Sequence, residues 1–115
     1  MSGGPGPLQL YQAEWCPFSH RVRARLTELG LDFVARQVAP DPAGRTAMAA
    51  ETGGATSIPT LVTPEGRVIS EADVILAHLD ETYREPRDAA EHRSRAAADW
   101  PLFVRMHERD TRGSS

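Results

Sequence analysis

The sequence predicts an α/β fold in which helices flank a four-stranded mixed β-sheet, with a helical extension after it. In the first half of the 115 residues, two strand-like apolar runs enclose a strongly helical run. Further along, residues 64–67 form a turn signal between two short β-branched runs. A helix between two strands makes them parallel neighbours, whereas a tight turn makes the strands it joins antiparallel. The two patterns together predict a mixed sheet.

The first half of the sheet follows from three consecutive segments. Residues 8–11 are apolar and predict the first strand. Residues 17–29 predict the first helix, because Val22, Leu26 and Leu29 recur at helical spacing and Gly30 follows as a stop. Residues 32–38 are rich in strand formers and predict the second strand, parallel to the first.

The second half begins with a predicted helix over residues 43–51, ended by a pair of glycines. Residues 58–62 predict the third strand, and residues 68–69 predict the fourth. The last helix of the sheet region is expected to start at Ser70, with Asp73 three residues later completing a capping box. The predicted order is therefore β-α-β-α-β-β-α.

Domain limits follow from composition. Residues 1–7 predict a flexible leader, residues 8–84 the folded domain, residues 85–110 a helical extension, and residues 111–115 a disordered tail. Pro101 is expected to break the extension. The apolar patch after it is expected to pack on the domain or, as an alternative, on a second subunit. Its residues are Leu102, Phe103, Val104 and Met106.

Charge and cysteine content exclude several functional classes. The net charge of −3 gives no basic surface for nucleic acid, and no apolar run is long enough to span a membrane. The sequence has no signal peptide pattern, which predicts a cytoplasmic protein. One cysteine excludes an internal disulfide, and Cys16 with His20 is too small a set for a metal site.

Cys16 is the most informative residue, because it lies where the first strand gives way to the first helix. Free N–H groups at a helix start stabilise a thiolate and lower the thiol pKa. Pro17 suits the first helical turn. His20 and Arg21 beside Cys16 are expected to add to this effect, whereas Glu14 opposes it. Arg21 and Arg23 compensate for Glu14 only if their side chains point back toward the thiolate. The alternative is that Cys16 is a small buried apolar residue.

Three motifs together resemble the thioredoxin-like fold of glutaredoxins and of the N-terminal domain of glutathione S-transferases. The first reads Cys-Pro-Phe-Ser-His-Arg from Cys16, the second Ile-Pro-Thr-Leu-Val from Ile58, and the third Ser-Glu-Ala-Asp-Val-Ile from Ser70. The resemblance covers residues 8–83. It implies that Cys16 forms a mixed disulfide and that Ser19, in place of a second cysteine, hydrogen-bonds the thiolate.

The resemblance also implies a binding site for glutathione or another low-molecular-weight thiol. Pro59 is expected to be cis and to face Cys16, and the backbone of Ile58 to pair with the peptide part of the ligand. The start of the third helix is expected to hold a ligand carboxylate, with Asp73 receiving the α-amino group. The family's usual serine is replaced by Ala72, which removes one hydroxyl. The complete set of expected ligand contacts is Trp15, Pro17, Phe18, Ile58, Pro59, Glu71, Ala72 and Asp73, with no metal.

The function implied is that of a monothiol, glutaredoxin-like thiol-disulfide oxidoreductase, acting on a small-molecule thiol and on proteins that carry its mixed disulfides. Two alternatives are a non-catalytic binding or regulatory module and transfer of glutathione to an electrophile. A weaker alternative is an iron–sulfur cluster bridged by Cys16, against which Pro17 argues. The chain is expected to be a monomer or a weak homodimer.

Overall fold

The computed structural model describes residues 6–98, which form four strands and four α-helices. A 3₁₀ turn, Pro42–Gly44, precedes the second helix. Residues 89–98 form the fourth helix, α4. The other elements are β1 (Leu8–Gln12), α1 (Pro17–Glu28), β2 (Phe33–Gln37), α2 (Thr46–Thr52), β3 (Thr60–Val62), β4 (Val68–Ser70) and α3 (Ala72–Thr82).

The strands form one mixed sheet in the order β2-β1-β3-β4. β1 is parallel to β2, and its other edge pairs antiparallel with β3, where Leu10 lies opposite Leu61. β3 and β4 form the expected hairpin, with Leu61 opposite Ile69. The parallel pair, the hairpin and the four-stranded mixed sheet predicted from the sequence are all confirmed.

The main core lies between one face of the sheet and the helices α1 and α3, which pack against each other. Side chains alternate between the two faces of a strand, so Tyr11 points away from the face of its neighbour Leu10. The Tyr11 hydroxyl donates to Glu51 of α2 over 2.6 Å, which places α2 on the opposite face. The buried core comprises Leu8, Leu10, Val22, Leu26, Leu29, Leu61, Ile69, Ala72, Ile75 and Leu79.

Two local predictions are wrong. The predicted helix over residues 43–51 begins only at Thr46, because Asp41 caps the 3₁₀ turn by accepting from the Ala43 N–H over 3.1 Å. The capping box of Ser70 and Asp73 does not form: Ser70 ends β4, and Glu71 occupies the N-cap position of α3 without a side-chain cap bond. The Ser70 hydroxyl, expected to cap α3, instead contacts the Thr60 hydroxyl of β3.

Strand limits also differ by one or two residues from those predicted. β3 starts at Thr60 rather than at residue 58, since Pro59 has no N–H to give to a ladder. The Pro101 break, the apolar patch after it and the tail of residues 111–115 lie outside the described residues. The boundary at residue 84 stays a prediction. Within residues 6–98, no helix combines the length and the hydropathy that crossing a membrane requires.

Candidate functional site

Cys16 is the N-cap residue of α1, in the loop that follows β1. Its backbone is extended, and its N–H donates to the Ala13 carbonyl over 3.1 Å. The Cys16 sulfur accepts from the Ser19 N–H at 3.4 Å, which is the bond that a capping side chain makes. Cys16 is 6% exposed. The sulfur therefore lies against the free N–H groups of the first turn of α1.

The environment of Cys16 lowers the pKa of its thiol overall. Burial raises the pKa, but hydrogen bonds from the Ser19 side chain and from the N–H groups of Ser19 and Phe18, with the positive charge of Arg23, outweigh burial. The direction agrees with the prediction from the sequence. A larger fraction of the thiol is ionised at neutral pH than in a free cysteine, and the thiolate is the nucleophile.

Of the two arginines expected to offset Glu14, Arg23 is the one whose positive charge acts on the Cys16 thiol. Arg23 donates to the side-chain oxygen of Gln12 and to the Ala13 carbonyl, so it is held against the loop that carries Cys16. It also pairs with Glu14 across 3.5 Å. Glu14, expected to oppose ionisation of the thiol, thus has a positive charge next to it. Arg21 instead reaches α3.

Two exposed aromatic side chains belong to the same segment. Trp15 is 66% exposed and Phe18 is 55% exposed, although both are large and apolar. Trp15 lines a hollow of about 250 Å³ with Cys16 and Pro17. Phe18 lines a different, larger groove. The loop at the start of α1 therefore forms part of two neighbouring depressions in the surface.

The larger groove, of about 380 Å³, lies between the start of α1, the turn before β3 and the start of α3. It brings together six of the residues predicted to bind the ligand: Phe18, Ile58, Pro59, Glu71, Ala72 and Asp73. The Ile58–Pro59 peptide is cis, as predicted. Cys16 lines the smaller hollow, so the predicted contact between Pro59 and Cys16 stays a prediction.

Three lining residues of this groove were not predicted as ligand contacts: Arg21, Ser57 and Val74. Arg21 Nη2 lies 3.2 Å from Asp73 Oδ1, so an ion pair joins α1 to α3 at the groove. No sequence signal links two residues 52 positions apart. Val74, one residue after Asp73, could have been predicted to line the groove, because it is an apolar residue at an outward position of α3.

Partly buried hydrogen bonds hold the turn before β3 in place. The Thr60 hydroxyl donates to the Ser57 carbonyl over 2.7 Å. Because its only proton is used there, the Ser70 hydroxyl donates to Thr60, at 2.9 Å. From the other side, the buried guanidinium of Arg45 donates to the carbonyls of Thr56, Ala39 and Pro40 over 2.7–3.0 Å. The groove wall is therefore fixed by bonds within the chain.

Glu71 has the strained backbone of the site. Its φ of 74° and ψ of 128° lie in a region that glycine favours and that other residues rarely adopt. Strain of this kind concentrates at functional sites, where the surrounding structure maintains it. The Glu71 side chain does not cap α3, so it leaves the first N–H groups of that helix to other partners. Such groups suit a carboxylate.

Metal binding has no support in the part of the chain that the structure describes. Among residues 6–98, no three side chains of histidine, cysteine, aspartate or glutamate come together in a way that could hold a metal ion. The chemistry available at the site is that of the Cys16 thiolate and of the charged groove beside it.

Solved structures resemble this chain over about two thirds to four fifths of its length. A glutathione S-transferase from the silkworm Bombyx mori, described as diazinon-metabolizing, is 32% identical with a TM-score of 0.59, covering 69% of this chain and 39% of that protein. Rice GST1, solved in complex with glutathione, is 29% identical with a TM-score of 0.57, and the match covers 79% of this chain and 43% of that protein. A Burkholderia glutathione transferase homologue with bound glutathione is 29% identical with a TM-score of 0.52, and the match covers 70% of this chain and 41% of that protein.

These similarities confirm the thioredoxin-like fold. The chain spans about two fifths of the length of each of these proteins. A search of curated proteins finds no match. The family model for the glutathione S-transferase N-terminal domain matches residues 15–82, which is more than half of the chain and includes both the Cys16 loop and the groove. The chain belongs to the glutathione S-transferase N-terminal domain family.

Proposed function

We propose that this chain is a glutathione-linked thiol transferase in which Cys16 is the nucleophile. The observation that carries the proposal is the position of the Cys16 sulfur, which accepts the Ser19 N–H at the start of α1 while its pKa is lowered. A thiolate stabilised in this way attacks disulfide sulfur without a further base. Glutathione, or another low-molecular-weight thiol, occupies the groove lined by Phe18, Pro59 and Asp73.

The reaction takes two steps of thiol–disulfide exchange. In the first, the Cys16 thiolate attacks the glutathionyl sulfur of a protein mixed disulfide, forming a Cys16–glutathione disulfide and releasing the protein thiolate, which takes up a proton. In the second, a glutathione thiolate attacks the same glutathionyl sulfur, so that oxidised glutathione leaves and the Cys16 thiolate is regenerated. One protein cysteine suffices, and the thiols that it needs persist in the cytoplasm.

Transfer of glutathione to an electrophile is the second candidate, favoured by the family and by the transferases named above. Conjugation requires the enzyme to stabilise the thiolate of glutathione itself. The Cys16 thiolate bears the same charge as that thiolate and has no proton to donate to it. The chemistry of Cys16 therefore supports disulfide exchange over conjugation.

The test is the intact mass of the protein after incubation with oxidised glutathione and then with excess reduced glutathione. We expect one glutathionyl group to be added and then removed, and we expect the C16S variant to stay unmodified. A peptide map should place the group on Cys16. An unmodified wild-type chain that still binds glutathione would contradict disulfide exchange and would support the non-catalytic binding module. Conjugation activity retained by C16S would support the second candidate.

A further inference from the structure

We propose that β2 is a docking edge for a second copy of this chain. The two β2 strands pair antiparallel about a two-fold axis at Val34, which joins two four-stranded sheets into one of eight strands. Asp32 of each copy then lies opposite Arg36 of the other copy. The proposal goes beyond the proposed function, because no lining residue of the Cys16 hollow or of the groove belongs to β2.

β2 is the open edge of the sheet. It pairs with β1 on one side, and no strand lies on its other side among residues 6–98. β4, at the opposite edge, has three residues, whereas β2 has five. Proteins protect open edges with short strands, prolines or bulges. β2 contains no proline, and its pairing with β1 runs over all five residues without a bulge. Because residues 34–37 are all exposed, the edge can accept another strand.

Val34 is the apolar centre of this edge. It is 41% exposed, one of the few large apolar side chains that the described part of the chain leaves open to solvent. Three of the others, Trp15, Phe18 and Val74, line the two depressions of the candidate site. Val34 lies outside both. Pairing with the same residue of a second copy would remove both side chains from water, and β-branched side chains pack well across neighbouring strands.

The charges beside Val34 complement those of a second copy. Asp32, Val34 and Arg36 are two residues apart, so they share one face of the strand. Antiparallel pairing centred on Val34 therefore places two aspartate–arginine pairs across the new interface, and opposite charges in this position are favourable. Among residues 6–98, neither Asp32 nor Arg36 takes part in an ion pair, and Arg36 donates to the neutral side-chain oxygen of Gln9 over 2.9 Å. The two new pairs form without breaking an existing one.

The sequence of the edge favours this register over the others. Opposite residues must point to the same face of the combined sheet, so the two-fold axis has to pass through a residue and not between two. An axis at Asp32 would oppose two aspartates, and an axis at Arg36 would oppose two arginines. An axis at Phe33 or Ala35 would set a charge opposite Val34. The axis at Val34 alone pairs both charges, and it also sets the large Phe33 side chain opposite the small Ala35.

The experiment is sedimentation velocity of the full chain over a range of concentrations, with a reducing agent that prevents a disulfide between two Cys16 residues. The test variants are D32R and R36D, each of which places like charges opposite each other at both pairs. The control variants are E65R and R67D. They make the same changes of charge at exposed positions of the turn between β3 and β4, away from β2. Circular dichroism checks that each variant is folded.

We expect wild type to dimerise reversibly, and D32R and R36D to dimerise at least roughly tenfold more weakly. E65R and R67D should behave as wild type. The decisive result is an equimolar mixture of D32R and R36D. In the mixed dimer every arginine of one copy faces an aspartate of the other, so the mixture should dimerise about as tightly as wild type.

Hydrogen exchange on wild type gives a second measurement that needs no variant. Pairing removes β2 amides from water, so peptides covering residues 32–37 should exchange more slowly as the protein concentration rises. A wild type that stays monomeric at every concentration would overturn the inference. So would a mixture of folded D32R and R36D that dimerises no better than either variant alone. A dimer whose concentration-dependent protection falls outside residues 32–37 would show that another surface joins the two copies, which would also overturn it.

Discussion

Ser19 connects the backbone of the Cys16 loop to the thiol. It is fully buried, its N–H donates to the Cys16 sulfur over 3.4 Å, and its hydroxyl oxygen accepts from the Ala13 N–H at 3.5 Å. The Ser19 side chain and backbone both act to lower the pKa of Cys16. A serine where related redox motifs carry a second cysteine therefore keeps a polar partner for the thiolate and removes the possibility of an internal disulfide.

Replacing Ser19 with alanine should raise the pKa of Cys16. The substitution removes the hydroxyl and keeps the N–H, so one of the stabilising contacts of the thiolate is lost while burial is unchanged. At neutral pH the thiolate fraction falls, and alkylation of Cys16 should become slower. The measurement is the rate of iodoacetamide alkylation against pH. Ser94→Ala, at an exposed position of α4, is the matched control, and a S19A curve that overlays it would contradict the role of the hydroxyl.

For single residues, the sequence predicts where a residue lies in its helix or turn better than it predicts which distant side chains that residue contacts. The place of Cys16 at a helix start follows from a local pattern, whereas the cis bond before Pro59 follows from the family resemblance, and both are found in the structure. The partners of the arginines do not follow, because they depend on how distant elements pack: Arg21 contacts Asp73 and Arg23 contacts Glu14. The positive φ of Glu71 also has no signal in a residue type that usually avoids it.

An ion-pair network joins three elements on the side of α1 away from the thiol. Arg25 donates to Glu28, to Asp80 of α3 and to Glu85, each over 2.7–2.8 Å. Arg93 of α4 pairs with both Glu28 and Glu85. The network therefore ties α4 to α1 and α3 through shared carboxylates. The half-buried Arg25 at its centre keeps its charge, since its partners raise its pKa further.

Glu85 should make the stability of the chain depend on pH. Hydrogen bonds from Arg93 and then from Arg25 lower the pKa of Glu85 in the folded state. A lowered carboxyl pKa contributes stability above the unfolded value, about 4.3 for glutamate, and that stability is lost as the pH falls through the folded pKa. Glu85→Gln should therefore melt below wild type at pH 7, and the difference in melting temperature should shrink as the pH falls below about 4.3.

The measurement is the melting temperature of each protein across that pH range. Glu91→Gln serves as control, because Glu91 belongs to a separate, exposed pair with Arg95, whose contribution is expected to be small at any pH. If the difference between E85Q and wild type has the same size at pH 7 and near pH 3, the carboxylate is not its source.

The order of the elements was predictable because each has its own local pattern, whereas their ends depend on contacts between elements. The helix predicted from residue 43 starts late because Asp41 stabilises a competing turn. The cap predicted at Ser70 fails because its hydroxyl has a partner in Thr60, which is adjacent to it across the β3–β4 ladder. At both helix starts the sequence carries a local pattern for a helix start, but a hydrogen bond to a neighbouring residue or to another strand decides where the helix begins.

For the molecule as a whole, the segment after α3 is part of the folded unit as far as it is described. Ala89 is 1% exposed, although its neighbours along α4 are exposed. Pro86, just before it, lies close to Gly30, since a Cβ placed on that glycine would be 3.9 Å from Pro86 Cγ. The small side chain of Ala89 thus lets the start of α4 lie close to the domain. Arg93, further along the same helix, pairs with Glu28 and Glu85.

Replacing Ala89 with glutamine should therefore destabilise the chain. The longer polar side chain must either displace its neighbours or leave its amide unpaired, at a cost of about 1–3 kcal/mol. For a domain of this size that corresponds to a fall in melting temperature of roughly 4–8 °C per kcal/mol. Ala97→Gln makes the same change at an exposed position of the same helix and should leave the melting temperature near that of wild type. Thermal unfolding followed by circular dichroism separates the two variants. Equal melting temperatures for A89Q and A97Q would mean that α4 does not pack on the domain through Ala89.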